Sequence, residues 1–153
     1  MAKAALAIKT EAISIDVSIR ARDRISLRLE LAAGEIVESE LTGIGCTELL
    51  SLIKDLRPKL HGPLDEVALP PGTGHAAMLL REALLKAQGR WEFPYAEAEL
   101  CHCRAVATSR VDGAILAGCH SVDAVKRATS ASTSCGTCRP DVERVLDYRL
   151  GKK

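Results

Sequence analysis

The first third of the chain alternates apolar and polar residues with a period of two. Apolar residues occupy every second position over 13–19 and again over 25–31. This alternation predicts two half-buried β-strands, because successive side chains of a strand point to opposite faces. Ala33-Gly34 predicts a turn, and residues 36–41 predict a third strand that pairs with the second as a hairpin. The pattern therefore indicates a small antiparallel sheet.

After the third strand the apolar residues recur at helical spacing. Leucine and isoleucine follow each other at intervals of three and four over 49–60, which predicts a helix that Pro58 kinks or ends. A second helix is predicted over about 74–88, with Thr73 as its N-cap. Sheet and helices together make the N-terminal part an α+β unit.

The last third of the chain differs from the rest in composition and in its predicted elements. Residues 91–97 hold three of the four aromatic residues and are predicted to be a linker that could also pack between two units. Beyond it, short helices are predicted after Thr108, after Ser121 and from Pro140 onward. This part is expected to be a small all-helical domain.

Length and composition fit that division. The chain has 153 residues and is 47% hydrophobic, which is enough for one ordinary domain or two small ones. We predict an α+β protein with two domains, residues 1–92 and residues 93–153.

Charge and hydropathy exclude several classes of function. Lys and Arg number 21 against 20 Asp and Glu, and aromatics make up 3%, which argues against a basic nucleic-acid binder and a base-stacking platform. The chain has no apolar run of membrane-spanning length, and Lys9 and Glu11 interrupt the N-terminal apolar stretch too early for a secretory signal. We expect a cytoplasmic protein with reduced thiols and no membrane or nucleic-acid partner.

Four of the six cysteines form two close pairs. Cys101 and Cys103 are a C-x-C pair, and Cys135 and Cys138 are a C-x-x-C pair. Four thiolates suit zinc or an iron–sulfur cluster, and C-x-C is less typical of structural zinc. Predicted helix starts after each pair would turn free N–H groups toward the site, and Gly136 would let the backbone approach the metal closely. Structural zinc and a thiol redox pair stay open as alternatives.

Residues 99–148 resemble the bacterioferritin-associated ferredoxin-type [2Fe-2S] domain, which also occurs in NifU proteins and some nitrite reductases. The likeness rests on these stretches: Cys101–Val106, Ala117-Gly118, Val122–Thr129 and Cys135–Pro140. It implies that the cluster ligands are Cys101, Cys103, Cys135 and Cys138. We expect Cys119 to be a buried packing residue, and we expect neither His102 nor His120 to be a ligand.

Residues 21–90 resemble a shortened and altered scaffold domain of the IscU/NifU type. The matching positions are Asp23, Gly45-Cys46, Gly62–Glu66, Leu69–Pro71 and His75. Ala21 and Ala76 stand where the family has cysteines, so the resemblance implies a partly dismantled site. Asp23, Cys46 and His75 could still hold zinc or iron, although each also has an ordinary structural role available: turn residue, core thiol and helix-start hydrogen bonder.

These features lead to a hypothesis and two alternatives. The first expectation is a non-enzymatic, NifU-like [2Fe-2S] protein that serves iron–sulfur cluster assembly or transfer, or supplies electrons to it. The alternatives are a dedicated ferredoxin-type electron carrier for one partner enzyme and a structural zinc-binding interaction protein. The expected partner is a redox or cluster-accepting protein, with a homodimer as a further expectation. No G-x-G-x-x-G motif follows a strand, so no nicotinamide or flavin site is expected.

Overall fold

A computed structural model describes residues 8–19 and 22–152. The N-terminal stretch 1–7 and Ala21, on which two of the expectations above depend, lie outside the described residues. The described chain is a mixed α/β structure that divides into two compact units. The first consists of Met1–Leu69 and Leu79–Arg90, and the second of Pro70–Met78 and Trp91–Lys153.

The first unit contains a four-stranded antiparallel sheet with the order β1-β2-β3-β4. Its strands are β1 Thr10–Ser18, β2 Arg24–Ala32, β3 Glu35–Ile44 and β4 Gly62–Pro63. The three predicted strands and the hairpin are confirmed. Ala33 and Gly34 form the turn with φ of 51° and 81°, as a two-residue hairpin with the twist of its strands requires. The two residues of β4 are too few to show a period, so the sequence pattern missed this strand.

Alternate residues of β2 form the centre of the sheet's buried face. Ile25, Leu27, Leu29 and Leu31 are all buried, which confirms the period-two prediction for this strand. Helix α1, Thr47–Leu56, adds Leu49, Ile53 and Leu56 to the buried side chains.

Two helices of this part of the chain can be compared with their predictions. The pattern predicted a helix that Pro58 kinks or ends, and α1 does end at Leu56, where a 3-10 turn, Arg57–Lys59, follows it. Pro58 causes the early end, because it has no N–H to donate and its ring clashes with the preceding turn. Helix α2, His75–Ala87, begins within one residue of the predicted start.

The second unit combines a short hairpin with three helices. Its elements are β5 Glu99–Cys101, β6 Val106–Ala107, α3 Thr108–Leu116, α4 Val122–Thr129 and α5 Arg139–Leu150. The expectation of an all-helical domain is therefore wrong, since β5 and β6 pair antiparallel. Strands of two and three residues leave no readable alternation. The core of this unit consists mainly of Leu100, Val111, Ile115, Val125, Val142 and Val145.

Helix starts in this unit follow the predictions with one difference. Ser121 caps α4 by accepting a hydrogen bond from the Ala124 N–H at 3.1 Å, as predicted. Thr108 is not a cap but the first residue of α3, and its hydroxyl donates to the Glu97 carbonyl at 2.6 Å. This bond ties α3 to the segment that precedes β5.

The aromatic segment after Arg90 packs on α5 inside the second unit. The rings of Trp91 and Phe93 lie 5.2 and 6.3 Å from the Tyr148 ring, both edge-on. The Arg149 guanidinium lies 5.0 Å from the Trp91 ring centroid and makes two hydrogen bonds to Asp112, at 2.6 and 2.7 Å. These contacts make the segment part of the fold of this unit rather than a bare linker.

Candidate metal centre

The C-x-C and C-x-x-C pairs meet in the second unit. Cys101 is the last residue of β5, Cys103 lies in the turn to β6, Cys135 lies in the loop after α4, and Cys138 is the N-cap of α5. The Sγ atom of Cys103 is 3.7 Å from that of Cys101 and 3.5 Å from that of Cys135. All four line one cavity of about 280 Å³, together with Tyr95, Leu100 and Thr137 among others.

Left-handed residues shape the two loops that carry these cysteines. Ala105, Ser130, Ser132 and Gly136 have φ of 50°, 69°, 58° and 72°. Such values are unfavourable for residues with a Cβ, so three of these positions hold a strained backbone. Nothing lies within 4 Å of the place where a Cβ of Gly136 would stand. The left-handed conformation at Gly136 itself favours a glycine there, and the expected close approach of its backbone to the metal stays a prediction.

Burial divides the four cysteines into two kinds. Cys101 and Cys138 are 0% and 6% exposed, whereas Cys103 and Cys135 are exposed. Burial would raise the pKa of the Cys101 thiol, but hydrogen bonds from the backbone N–H groups of Ser132 and Arg104 outweigh it, and the pKa is lowered. At Cys138 burial dominates and raises the pKa.

The two exposed thiols also differ from each other. The Thr137 hydroxyl, followed by the Thr137 backbone N–H, stabilises the Cys135 thiolate and lowers its pKa to about 7. A backbone hydrogen bond from Cys135 acts to lower the pKa of Cys103, but hydrogen bonds with the thiols of Cys135 and Cys101 outweigh it, so that pKa is raised. The sequence reasoning missed Thr137, whose place inside the C-x-x-C pair was the available signal.

Charged and ionisable residues lie around the site, and His102 and Asp141 are among the residues that line its cavity. The His102 ring is 65% exposed and lies 2.8 Å from Glu99 and 3.4 Å from Glu97; the hydrogen bond to Glu99 is the main reason why its pKa is raised. Arg139, which directly follows Cys138, forms an ion pair with Glu143 at 2.9 Å. Cys119 is half-buried against the core and His120 is exposed.

Of the other predicted trio, Asp23 and Cys46 lie side by side in the first unit, whereas His75 is the first residue of α2 and belongs to the second unit. Asp23 is 2% exposed, and its Oδ1 accepts a hydrogen bond from the Cys46 N–H at 3.1 Å. The Cys46 sulfur accepts from the Leu49 N–H at 3.4 Å and so caps α1. A Cβ at Gly45 would stand 2.3 Å from Asp23 Oδ1, so this close approach requires glycine.

The donor set of the second unit fits a [2Fe-2S] cluster. Four sulfur donors in one cavity are the usual ligands of such clusters, and the backbone N–H groups directed at Cys101 favour its deprotonated, metal-binding form. Cys101, Cys103, Cys135 and Cys138 would hold the cluster, with two ligands on the buried side and two on the exposed side.

Comparisons with known proteins agree with this site. Residues 100–148 match the family described as BFD-like [2Fe-2S] binding domain. The chain is 43% identical over 56 residues, 37% of its length, to the nitrite reductase (NADH) large subunit of Escherichia coli (strain K12). It is 43% identical over 53 residues, 34% of its length, to nitrite reductase [NAD(P)H] of Bacillus subtilis (strain 168).

These matches are confined to the second unit. The matched part is 7% of each nitrite reductase, so the chain shares one small domain with proteins that are far longer. No solved structure matches the chain significantly. The cofactor of this domain is a [2Fe-2S] cluster, whereas the likeness of the first unit to a cluster scaffold has no match in these comparisons.

Proposed function

We propose that this chain is a non-enzymatic [2Fe-2S] protein that carries single electrons to or from a protein partner. The observation that supports the proposal is the convergence of four thiols in the domain that matches the BFD-like family. A bound [2Fe-2S] cluster supplies one-electron transfer. The role of the chain is then to hold the ligands, to screen one side of the site from water and to leave the other side accessible.

The described residues suit this division of roles. Leu100 and the buried thiols of Cys101 and Cys138 form the inner wall of the cavity. The Tyr95 hydroxyl donates to the Glu99 carbonyl at 3.0 Å and so braces β5 next to the C-x-C pair. Cys103 and Cys135 stand at the surface, where a partner protein can come within electron-transfer distance.

Cluster assembly or transfer is the second candidate function. The neighbouring Asp23 and Cys46 of the first unit favour it, because a carboxylate and a thiol are both ligands of zinc or ferrous iron. A site with a single thiolate is a poor one for building a cluster, so these two residues would contribute to a site for one mononuclear ion. We include three further expectations in this proposal. The partner is a redox or cluster-accepting protein, the chain forms a homodimer, and its location is the cytoplasm. Within residues 8–19 and 22–152, none of the helices could span a membrane.

Anaerobic purification followed by metal and sulfide analysis tests the proposal. We expect about two irons and two sulfides per chain and a rhombic EPR signal after dithionite reduction, as a [2Fe-2S] cluster requires. Stoichiometric zinc without sulfide would instead identify a structural zinc site. Incubation with an apo-ferredoxin then separates the two candidates, since an electron carrier keeps its cluster and a transfer protein gives it up.

A further inference from the structure

The two exposed cysteines of the metal centre are close neighbours. The Sγ atoms of Cys103 and Cys135 lie 3.5 Å apart, and both residues are exposed. The other two cysteines of the site are buried. Any oxidant that arrives from solvent while the site holds no metal therefore meets Cys103 and Cys135 first.

We propose that the metal-free chain is oxidised by peroxide at this pair and forms a Cys103–Cys135 disulfide. One exposed thiol loses its proton, and its thiolate attacks a peroxide oxygen. The O–O bond breaks and the departing hydroxide takes up that proton, which leaves a sulfenic acid and one water molecule. The sulfur of the second thiol attacks the sulfenic sulfur, the S–O bond breaks, and a second water molecule leaves with the thiol proton. Two thiols and one hydrogen peroxide thus become one disulfide and two water molecules, with two electrons passing to the peroxide.

Both cysteines of this pair lie outside helices and strands. Cys103 lies in a turn closed by the Ala105 N–H on the His102 carbonyl at 3.4 Å, and Cys135 lies in the loop before α5. A disulfide needs its sulfurs at about 2.05 Å. Two loop residues can take up that shortening by side-chain rotation and small backbone shifts, without breaking a helix or a sheet pair.

The competing pairs are less favourable. Cys101 with Cys103 would join residues two apart in the sequence, and the Cys101 sulfur belongs to a residue that is completely buried in β5. Cys138 is 6% exposed and forms the N-cap of α5, so its sulfur must leave the core before it can reach a sulfenic acid on Cys135. Contact and exposure coincide only at Cys103 and Cys135.

This modification would control cluster loading. The disulfide takes up two of the four ligands and leaves the two buried thiols reduced, so a cluster can enter only after a thiol reductant has reopened the bond. The inference concerns the metal-free thiols and does not depend on which metal they hold or on the proposed electron transfer.

Peroxide treatment of the full-length metal-free chain, followed by peptide mapping, tests the proposal. The chain is stripped of metal with a chelator under reducing conditions, checked for retained helicity by circular dichroism, and treated with one equivalent of hydrogen peroxide. After alkylation under denaturing conditions and digestion, we expect most linked peptides to join Cys103 to Cys135, with Cys101 and Cys138 alkylated. Reconstitution with iron and sulfide should fail until dithiothreitol is added, and then recover.

Variants make the test specific. Cys119→Ser removes a half-buried cysteine outside the site and should leave the linkage unchanged. Cys135→Ser should remove the intramolecular link and leave a sulfenic acid that dimedone traps at Cys103. A dominant Cys135–Cys138 or Cys101–Cys103 link in the wild-type chain, or trapped sulfenic acid without any disulfide, would overturn the proposal.

Discussion

Cysteine is used in two different ways in the two units. In the first unit the Cys46 sulfur caps α1 by accepting the Leu49 N–H, and its own N–H donates to Asp23. In the second unit the Cys103 sulfur lies close to two further cysteine sulfurs, at 3.5 and 3.7 Å. A thiol that caps a helix has a structural role without a metal, whereas thiols that crowd one another gain most from a shared cation.

The surroundings of a cysteine therefore carry more information about its role than the number of cysteines in the chain. Cys46 contributes to helix stability whether or not it also binds an ion. Cys103 and Cys135 of the second unit sit on loops that contain strained left-handed residues, and a local strain of this kind is usually kept where function requires the geometry. Four sets of substitutions test this contrast between the two units.

Removing the buried ligands should abolish iron binding. In the double variant Cys101→Ser and Cys138→Ser we expect essentially all cluster iron and sulfide to be lost, because two of four thiolates are missing on the side that excludes water. Iron and sulfide analysis with the visible spectrum measures this. The matched single variants Cys46→Ser and Cys119→Ser should keep both irons. Iron reduced to half in Cys46→Ser would show that the first unit holds part of the cluster iron.

The second unit should depend strongly on one buried ion pair. Arg149 is 5% exposed and makes two hydrogen bonds to Asp112. Arg149→Met leaves that carboxylate without its partner and should lower the free energy of unfolding by about 3 kcal/mol. Urea unfolding of the metal-free chain measures the change.

A surface pair provides the control for that measurement. Arg144 pairs with Asp141, and its side chain is 61% exposed. Arg144→Met should change the stability by less than about 1 kcal/mol, since water screens exposed ion pairs. Equal effects of the two methionine variants would show that the buried pair has no special importance.

Gly45→Ala should weaken the first unit. The added Cβ would stand 2.3 Å from Oδ1 of Asp23, and that side chain is buried and cannot swing away. We expect a loss of about 2 kcal/mol from steric crowding and from the weakened Cys46–Asp23 hydrogen bond. Thermal unfolding followed by circular dichroism measures it, and an unchanged melting temperature would mean that Asp23 is not fixed by this contact.

Gly113→Ala gives the matched change in the second unit, with the opposite sign. This glycine lies inside α3, and nothing lies within 4 Å of an added Cβ. Alanine should therefore raise the stability by about 0.5–1 kcal/mol through its better helix propensity. A loss in place of this gain would indicate that α3 needs a flexible residue there.

The longer strands and helices could be predicted from the sequence because each spans several repeats of its apolar pattern. β2 shows four buried residues at alternate positions, and Ser121 gave the start of α4. β4, β5 and β6 have two or three residues each, which is too few to show a repeating alternation of apolar and polar residues. Their pairing depends on tertiary contacts, so the all-helical expectation for the second unit was wrong.

The grouping of the four cysteines could be predicted from the sequence, but the difference in burial between them could not. Spacing and resemblance identified the two cysteine pairs, and the structure brings them to one cavity. Which thiols are buried depends on where the chain enters and leaves the core: Cys101 ends a buried strand, whereas Cys103 lies beyond it in a turn. The position of the Thr137 hydroxyl beside Cys135 depends on the side-chain rotamer and on the loop conformation. The spacing of residues in the sequence determines neither.

The segment between the two cysteine pairs has a consequence for recognising centres of this kind in other sequences. Residues 104–134 form α3 and α4, which pack on α5 and return the chain to its starting point. The ends meet because of this packing, and each doubling of a flexible connection costs only about 0.6 kcal/mol. A search pattern that fixes the number of residues between the two cysteine pairs therefore excludes sequences that could still form such a centre. A pattern that requires only C-x-C, a helical hairpin and C-x-x-C would find more centres of this kind.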